Sequence, residues 1–166
     1  KEPTLDSQSG RKIRRILDIK EKISLKKLQE LFADDRRLHL KNLIIPSLTK
    51  GRIVISDRYF FSTFAYGAAS GVNLDYLFKL NKEFLMPDLT VILKVSPSVC
   101  VKRIKERGEK ATLFEKKKKL AKVWQVYKIL PRLVPNKFIG GSIRSSRLNL
   151  DKNCNIRIIN GEKQIK

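Results

Sequence analysis

Three short apolar runs, "IVIS" at 53–56, "DLTVILKV" at 88–95 and "NIRIIN" at 155–160, are separated by segments of helical period. That alternation constrains the fold more than any other feature of the chain. Strands that follow one another through helices pair in parallel and are joined by right-handed crossovers, so the helices must cover the sheet. The expected class is therefore α/β, a three-layer sandwich around a parallel sheet.

Local signals place the helices. Ile13, Ile16 and Leu17 share one helical face. Ser24 is a good N-cap for a helix bearing Leu25, Leu28, Leu31, Phe32 and Leu38, which Pro46 should kink and Gly51 should end. A helix from about Tyr59 is broken by Gly71, and "NLDYLFKLNKEFL" predicts another that Pro87 stops. Ser96 followed by Pro97 is a strong helix start. A long basic helix carries Leu120, Val123, Trp124, Tyr127 and Leu130 on one face. Residues 135–153 have weak periodicity and read as an inserted loop.

Composition narrows the function. A chain of 166 residues suits one domain, 1–166, with a substantial core. It has no apolar run of membrane-spanning length and no leader pattern, which gives an intracellular, cytoplasmic reading. Cys100 and Cys154 form no CxxC and read as reduced, buried thiols. The only histidine, His39, rules out a zinc finger or an HExxH site and is expected at the solvated surface of a charged helix. A net charge of +21 draws phosphates of any kind, but only "EKKKKLAK" at 115–122 is a real cluster. Nucleic-acid binding rests on that charge alone.

The candidate chemistry sits where the first strand ends. Ligands of open parallel sheets bind beyond the carboxyl ends of the strands, and Asp57 and Arg58 stand at such an end. Arg58 offers a planar fork of donors for phosphate oxygens. Asp57 could steady that fork, hold a magnesium-bound water or orient an attacking phosphate; a structural ion pair at a helix start is the alternative. Phe32 and Arg36, four residues apart, share a helix face and would suit base recognition, one stacking and the other hydrogen-bonding the ring edge. Read singly, Phe32 is core and Arg36 solvated. Tyr59, Ser62, Thr63 and Tyr66 line the next helix with hydroxyls, a pattern that amphipathic packing also explains.

The stretches "KEPT", "ISLKKLQELFADDR", "IIPSLTKGRIVISDRYFFSTFAYG", "PDLTVILKVSPSVCVKRIKERG", "LFE" and "IRIINGEKQI" occur in an order that resembles the thymidylate kinase family of P-loop kinases. The resemblance implies transfer of the ATP γ-phosphate to dTMP with Mg2+, in a homodimer. It implies that Phe32 stacks on thymine, Arg36 bonds the base, and Ser62 and Thr63 lie near it. Tyr66 would pack under the deoxyribose. Arg58 would grip the dTMP phosphate with Asp57 beside it, and Arg103 and Arg107 would close on ATP from a lid at about 103–116. Lys105, Lys110 and Lys116 are further lid candidates.

The chain departs from that family in one decisive respect. Its glycines, at 10, 51, 67, 71, 108, 140, 141 and 161, form no Gly-x-x-x-x-Gly-Lys-[Ser/Thr] loop. The resemblance therefore predicts a kinase domain without its N-terminal strand-loop-helix-strand unit, inactive by itself. Gly67 also stands where many members carry Gln or another polar residue. Two rivals stand beside this reading: another P-loop nucleoside or nucleotide kinase, and a non-catalytic basic remnant that binds nucleotide or nucleic acid.

Overall fold

Short polar side chains set where the helices begin. In the computed structural model, which describes residues 1–19, 22–108, 116–137 and 155–162, they start helices in both of two units, Lys1–Leu85 and Met86–Lys166. In the first unit, α1 (Gln8–Ile19) buries Ile13 and Ile16. Ser24 Oγ accepts the Lys27 N–H at 3.2 Å and opens α2 (Leu25–His39). Asn73 Oδ1 accepts the Tyr76 N–H at 3.0 Å and opens α5 (Leu74–Asn81).

Pro46 leaves its mark as a change of helix type. It has no N–H to give to the carbonyl four residues back. The chain passes from α2 through a π-helical turn, Leu40–Ile44, into α3 (Ile45–Thr49), with the Ile45 N–H donating to the Leu40 carbonyl. Such a turn relieves the ladder without breaking the helix. The expected kink is thus a π turn, and the helix ends before Gly51, whose φ of +74° suits glycine.

The strand expected at 53–56 is corrected: the segment joins no ladder among the described residues, and Ile53 and Ile55 are both 91% exposed. A strand exists through its partners, and an apolar run by itself supplies none. α4 (Phe60–Ala69) follows, with Phe60, Phe61, Phe64 and Ala65 buried. Phe64 stacks at a tilt on Phe78 of α5, their ring centroids 4.7 Å apart. Each such ring contributes about 2–3 kcal/mol by leaving water. α2 packs against α1, α4 and α5, and it buries Leu28, Gln29, Ala33, Asp35, Arg36 and His39. Leu25 and Leu38, expected on its apolar face, are 38% and 42% exposed. α5 ends at Asn81, short of the predicted stop at Pro87.

In the second unit, β1 (Leu89–Lys94) pairs in parallel with β2 (Asn155–Asn160), in register from Leu89 opposite Asn155 to Lys94 opposite Asn160. Two of the three expected strands therefore form a sheet of the expected sense. Ser96 Oγ caps α6 (Pro97–Glu106) as its sequence predicts. α6 packs on α7 (Lys117–Lys137), whose Val123, Leu130 and Val134 are buried. Residues 135–137 of the expected loop belong to α7; the rest of that stretch, Cys154 and lid residues 109–115 lie outside the described residues. Cys100 is half-buried, and burial pushes its thiol pKa up although Arg103 opposes the shift, as an unreactive thiol requires.

Candidate functional site

The segment that ends at Asp57 turns through Arg58, whose φ of +68° is a left-handed conformation uncommon outside glycine. That turn separates the extended segment from α4 and carries the two candidate charges. The Glu2 N–H donates to the Asp57 carbonyl at 3.0 Å, which ties the first residues of the chain to it. The exposed Asp57 carboxylate lies 3.8 Å from Lys1 Nζ. The Arg58 guanidinium stands 5.3 Å from the ring centroid of Tyr66, in cation–π range. Arg58 and Tyr66 are therefore brought together, and Asp57 precedes Arg58 in the same turn.

Tyr59, the residue after Arg58, borders a buried polar network centred on Arg36. Arg36 Nε and Nη2 donate to Glu2 Oε2 at 3.0 and 2.6 Å, Nη2 also to Thr63 Oγ1 at 3.2 Å, and Nη1 to Asn81 Oδ1 at 2.6 Å. The Tyr59 and Phe84 rings lie 5.2 and 5.6 Å from the guanidinium carbon. Arg36 is 1% exposed, so the solvated reading is corrected. Its charge stays in the core because a carboxylate and neutral acceptors surround it. Four of its five N–H groups are engaged by these partners, which leaves one on Nη1. Tyr59 donates its hydroxyl to the Leu85 carbonyl at 3.0 Å, and burial pushes its pKa well up.

A second carboxylate anchors the same N-terminal segment. Asp35 accepts from the Thr4 N–H at 2.8 Å, from Thr4 Oγ1 at 2.6 Å, from Ser9 Oγ at 3.1 Å, and from Ser7 Oγ. Burial pushes the Asp35 carboxyl up, but the hydrogen bonds from Ser7, Thr4 and Ser9 outweigh it and hold the pKa below the usual value. Ser7 Oγ also accepts the Gly10 N–H at 2.7 Å, near the start of α1. The segment 1–9 is thus held to α2 at neighbouring residues, Thr4 on Asp35 and Glu2 on Arg36.

His39, expected at the surface, is buried one turn beyond Arg36, with its Nδ1 3.6 Å from Glu2 Oε1. The i+3 and i+4 spacings from Arg36 and Asp35 put all three on one face, and that face is buried because its partners come from elsewhere in the chain. Phe32 is half-buried one turn before Arg36, Thr63 is buried, and Ser62 is half-buried. Arg103 and Arg107 belong to the second unit, where Arg103 Nη1 donates to the Gly161 carbonyl at 3.0 Å and Arg107 caps α6. Glu2, Asp35 and Asn81 were not singled out as site residues from sequence. The one available signal was the pairing of charged "KEP" with "ADDR", two short motifs far apart in the chain.

No group of three or more metal-ligating side chains gathers among the described residues.

Comparison with known proteins adds a consistent family. The family model described as thymidylate kinase matches residues 1–149. A probable thymidylate kinase of Pyrococcus horikoshii is 43% identical over 122 residues, covering 70% of this chain and 58% of that protein. A probable thymidylate kinase of Archaeoglobus fulgidus is 38% identical over 124 residues, covering 74% and 61%. The thymidylate kinase of Desulfotalea psychrophila is 36% identical over 130 residues, covering 78% and 64%. The chain spans about three fifths of the length of the curated relatives it matches.

Proposed function

The chain belongs to the thymidylate kinase family, and from that premise we propose that the protein transfers the γ-phosphate of ATP to dTMP, giving dTDP. One observation carries the reading furthest. Arg58 stands over the ring of Tyr66 in α4, and the next residue, Tyr59, has its ring 5.2 Å from a desolvated Arg36 that keeps one N–H unspent.

In this reading Arg58 holds the dTMP phosphate, and Asp57 would help hold magnesium through a bound water. Phe32 stacks on thymine, Arg36 Nη1 donates to a base carbonyl, Ser62 and Thr63 border the base, and Tyr66 packs under the sugar. A base reaches Nη1 only when a side chain around the enclosed guanidinium gives way. Transfer of a phosphoryl group needs positioning and charge neutralisation more than an acid–base residue, which agrees with a chain that has one histidine. Magnesium would supply charge neutralisation across the phosphates. Arg103 and Arg107, from a lid at about 103–116, would neutralise the ATP phosphates and exclude water.

Residues 1–166 would form one kinase domain of three-layer, P-loop type, dimeric and cytoplasmic. They hold no phosphate-cradling Gly-Lys loop of their own, so these residues by themselves should bind dTMP without turning it over. The test is thermal protection of the chain. dTMP should raise its unfolding temperature more than dUMP, dCMP or thymidine does. Equal protection by all four would point to a kinase of another substrate. Protection by none, with RNA or DNA binding that falls steeply with salt, would point to the basic remnant.

A further inference from the structure

Glu2 and His39 each leave one polar atom unsatisfied in the core. Glu2 is 3% exposed and gives Oε2 to Arg36, while its Oε1 has no hydrogen-bond partner. His39 is 9% exposed, and its Nδ1 has none either. The two atoms face each other at 3.6 Å. A buried, unmatched acceptor or donor is costly, and here each is the natural complement of the other. A movement of a few tenths of an ångström would make the bond.

We propose that His39 is a positioning residue for base recognition: it carries its proton on Nδ1, donates to Glu2 Oε1, and so fixes the carboxylate that orients Arg36. The inference deepens the reading above and rests on Arg36 being the group that reads the base. The chain of contact is short. Glu2 is the only charged partner of Arg36 given by the structure among the described residues, and it binds through a single oxygen. A carboxylate held at one oxygen pivots about that contact. Anchoring Oε1 to α2, the helix that also carries Arg36, removes the pivot and sets where the remaining Nη1 donor points. This matters for a guanidinium because its fork reads partners by direction. His39 touches neither base nor phosphate in this scheme.

Two measurements on the full chain test it. The first is the imidazole nitrogen spectrum, which is unambiguous because the chain has one histidine. A proton on Nδ1, with a downfield signal that Glu2→Gln moves, is expected. A neutral ring protonated only at Nε2 overturns the proposal, whatever the nucleotide does. The second is dTMP affinity by calorimetry for the wild type, His39→Ala and His39→Asn, with the unfolding temperature of each free protein measured alongside. Asn sets an amide N–H near the place of Nδ1. His39→Ala should weaken dTMP binding roughly tenfold, as expected for loss of a charge-assisted bond, and His39→Asn should recover most of it. Equal weakening in both variants overturns the proposal, because His39 would then act through packing. Unchanged affinity in His39→Ala overturns it too. A wild type that binds no dTMP while its Nδ1 proton signal is present refutes the functional reading, and the relay to Arg36 stands on the spectrum.

Discussion

Arg36 and Glu2, 34 residues apart, meet with Nη2 2.6 Å from Oε2, and their side chains are 1% and 3% exposed. A pair so desolvated is costly to make and more costly to break, because the surviving charge has no water to fall back on. Glu2→Gln should therefore lower stability by about 3 kcal/mol, read as a shift in the urea midpoint at unchanged slope. Glu2→Gln with Arg36→Met should recover part of that loss, since no charge then remains buried. A double variant as unstable as the sum of its singles would show that the two residues do not act as a pair.

Asp35 gives stability a defined dependence on pH. Its folded pKa lies below the ordinary carboxylate value because the hydrogen bonds from Ser7, Thr4 and Ser9 outweigh desolvation. A lowered folded pKa means that the contribution is complete above the unfolded value, near pH 4, and is lost as pH falls through the folded one. Asp35→Asn should cost about 2–3 kcal/mol at neutral pH, because the Thr4 N–H and the hydroxyls lose an ionised acceptor. The difference from wild type should shrink below about pH 4. A difference independent of pH would mean that Asp35 is not ionised in the folded chain.

Much of the fold was legible because its signals are local. Ser24 and Ser96 cap the helices they precede, Pro97 opens α6, and the apolar runs at 89–94 and 155–160 pair in parallel. The misreadings share one cause, which is dependence on distant partners. Ile53 and Ile55 look like strand residues in isolation, but pairing is non-local, and among the described residues they have no ladder. Arg36 and His39 look solvated on a helix dense in charge. Their burial is decided by Glu2, Thr63 and Asn81, whose distances from Arg36 along the chain are 34, 27 and 45 residues. In the candidate site, Asp57 and Arg58 were singled out because they follow an apolar run, and Tyr66 because helical spacing aligns it with Ser62 and Thr63. The partners of Arg36 were not legible, since no spacing rule connects them.

Gly67 is explained by packing. A Cβ built there would lie 2.9 Å from Leu77 Cδ1, 3.2 Å from Cδ2 and 3.3 Å from Gln29 Cδ. Those atoms belong to α5 and α2, so the glycine lets three helices approach. Gly67→Gln should lower stability by about 1–3 kcal/mol through overpacking, even though Gln is the better helix former. The unfolding temperature of the variant is the measurement. A rise would mean that Leu77 and Gln29 yield and that the position is free for a polar side chain.

If Arg58 holds the dTMP phosphate as proposed, its removal should separate phosphate recognition from base recognition. Its side chain is exposed and stands over Tyr66, so its removal takes little from the core. Arg58→Ala keeps a side chain at the left-handed φ and removes the fork. dTMP affinity should fall roughly 10- to 100-fold, the range for one or two charge-assisted bonds. Thymidine has no phosphate for Arg58 to hold, and its affinity should stay within about twofold of wild type. The split between the two ligands is what identifies the role, because general damage at the start of α4 would weaken both alike. A parallel loss for dTMP and thymidine would make Arg58 a structural residue of the turn and move the phosphate site elsewhere.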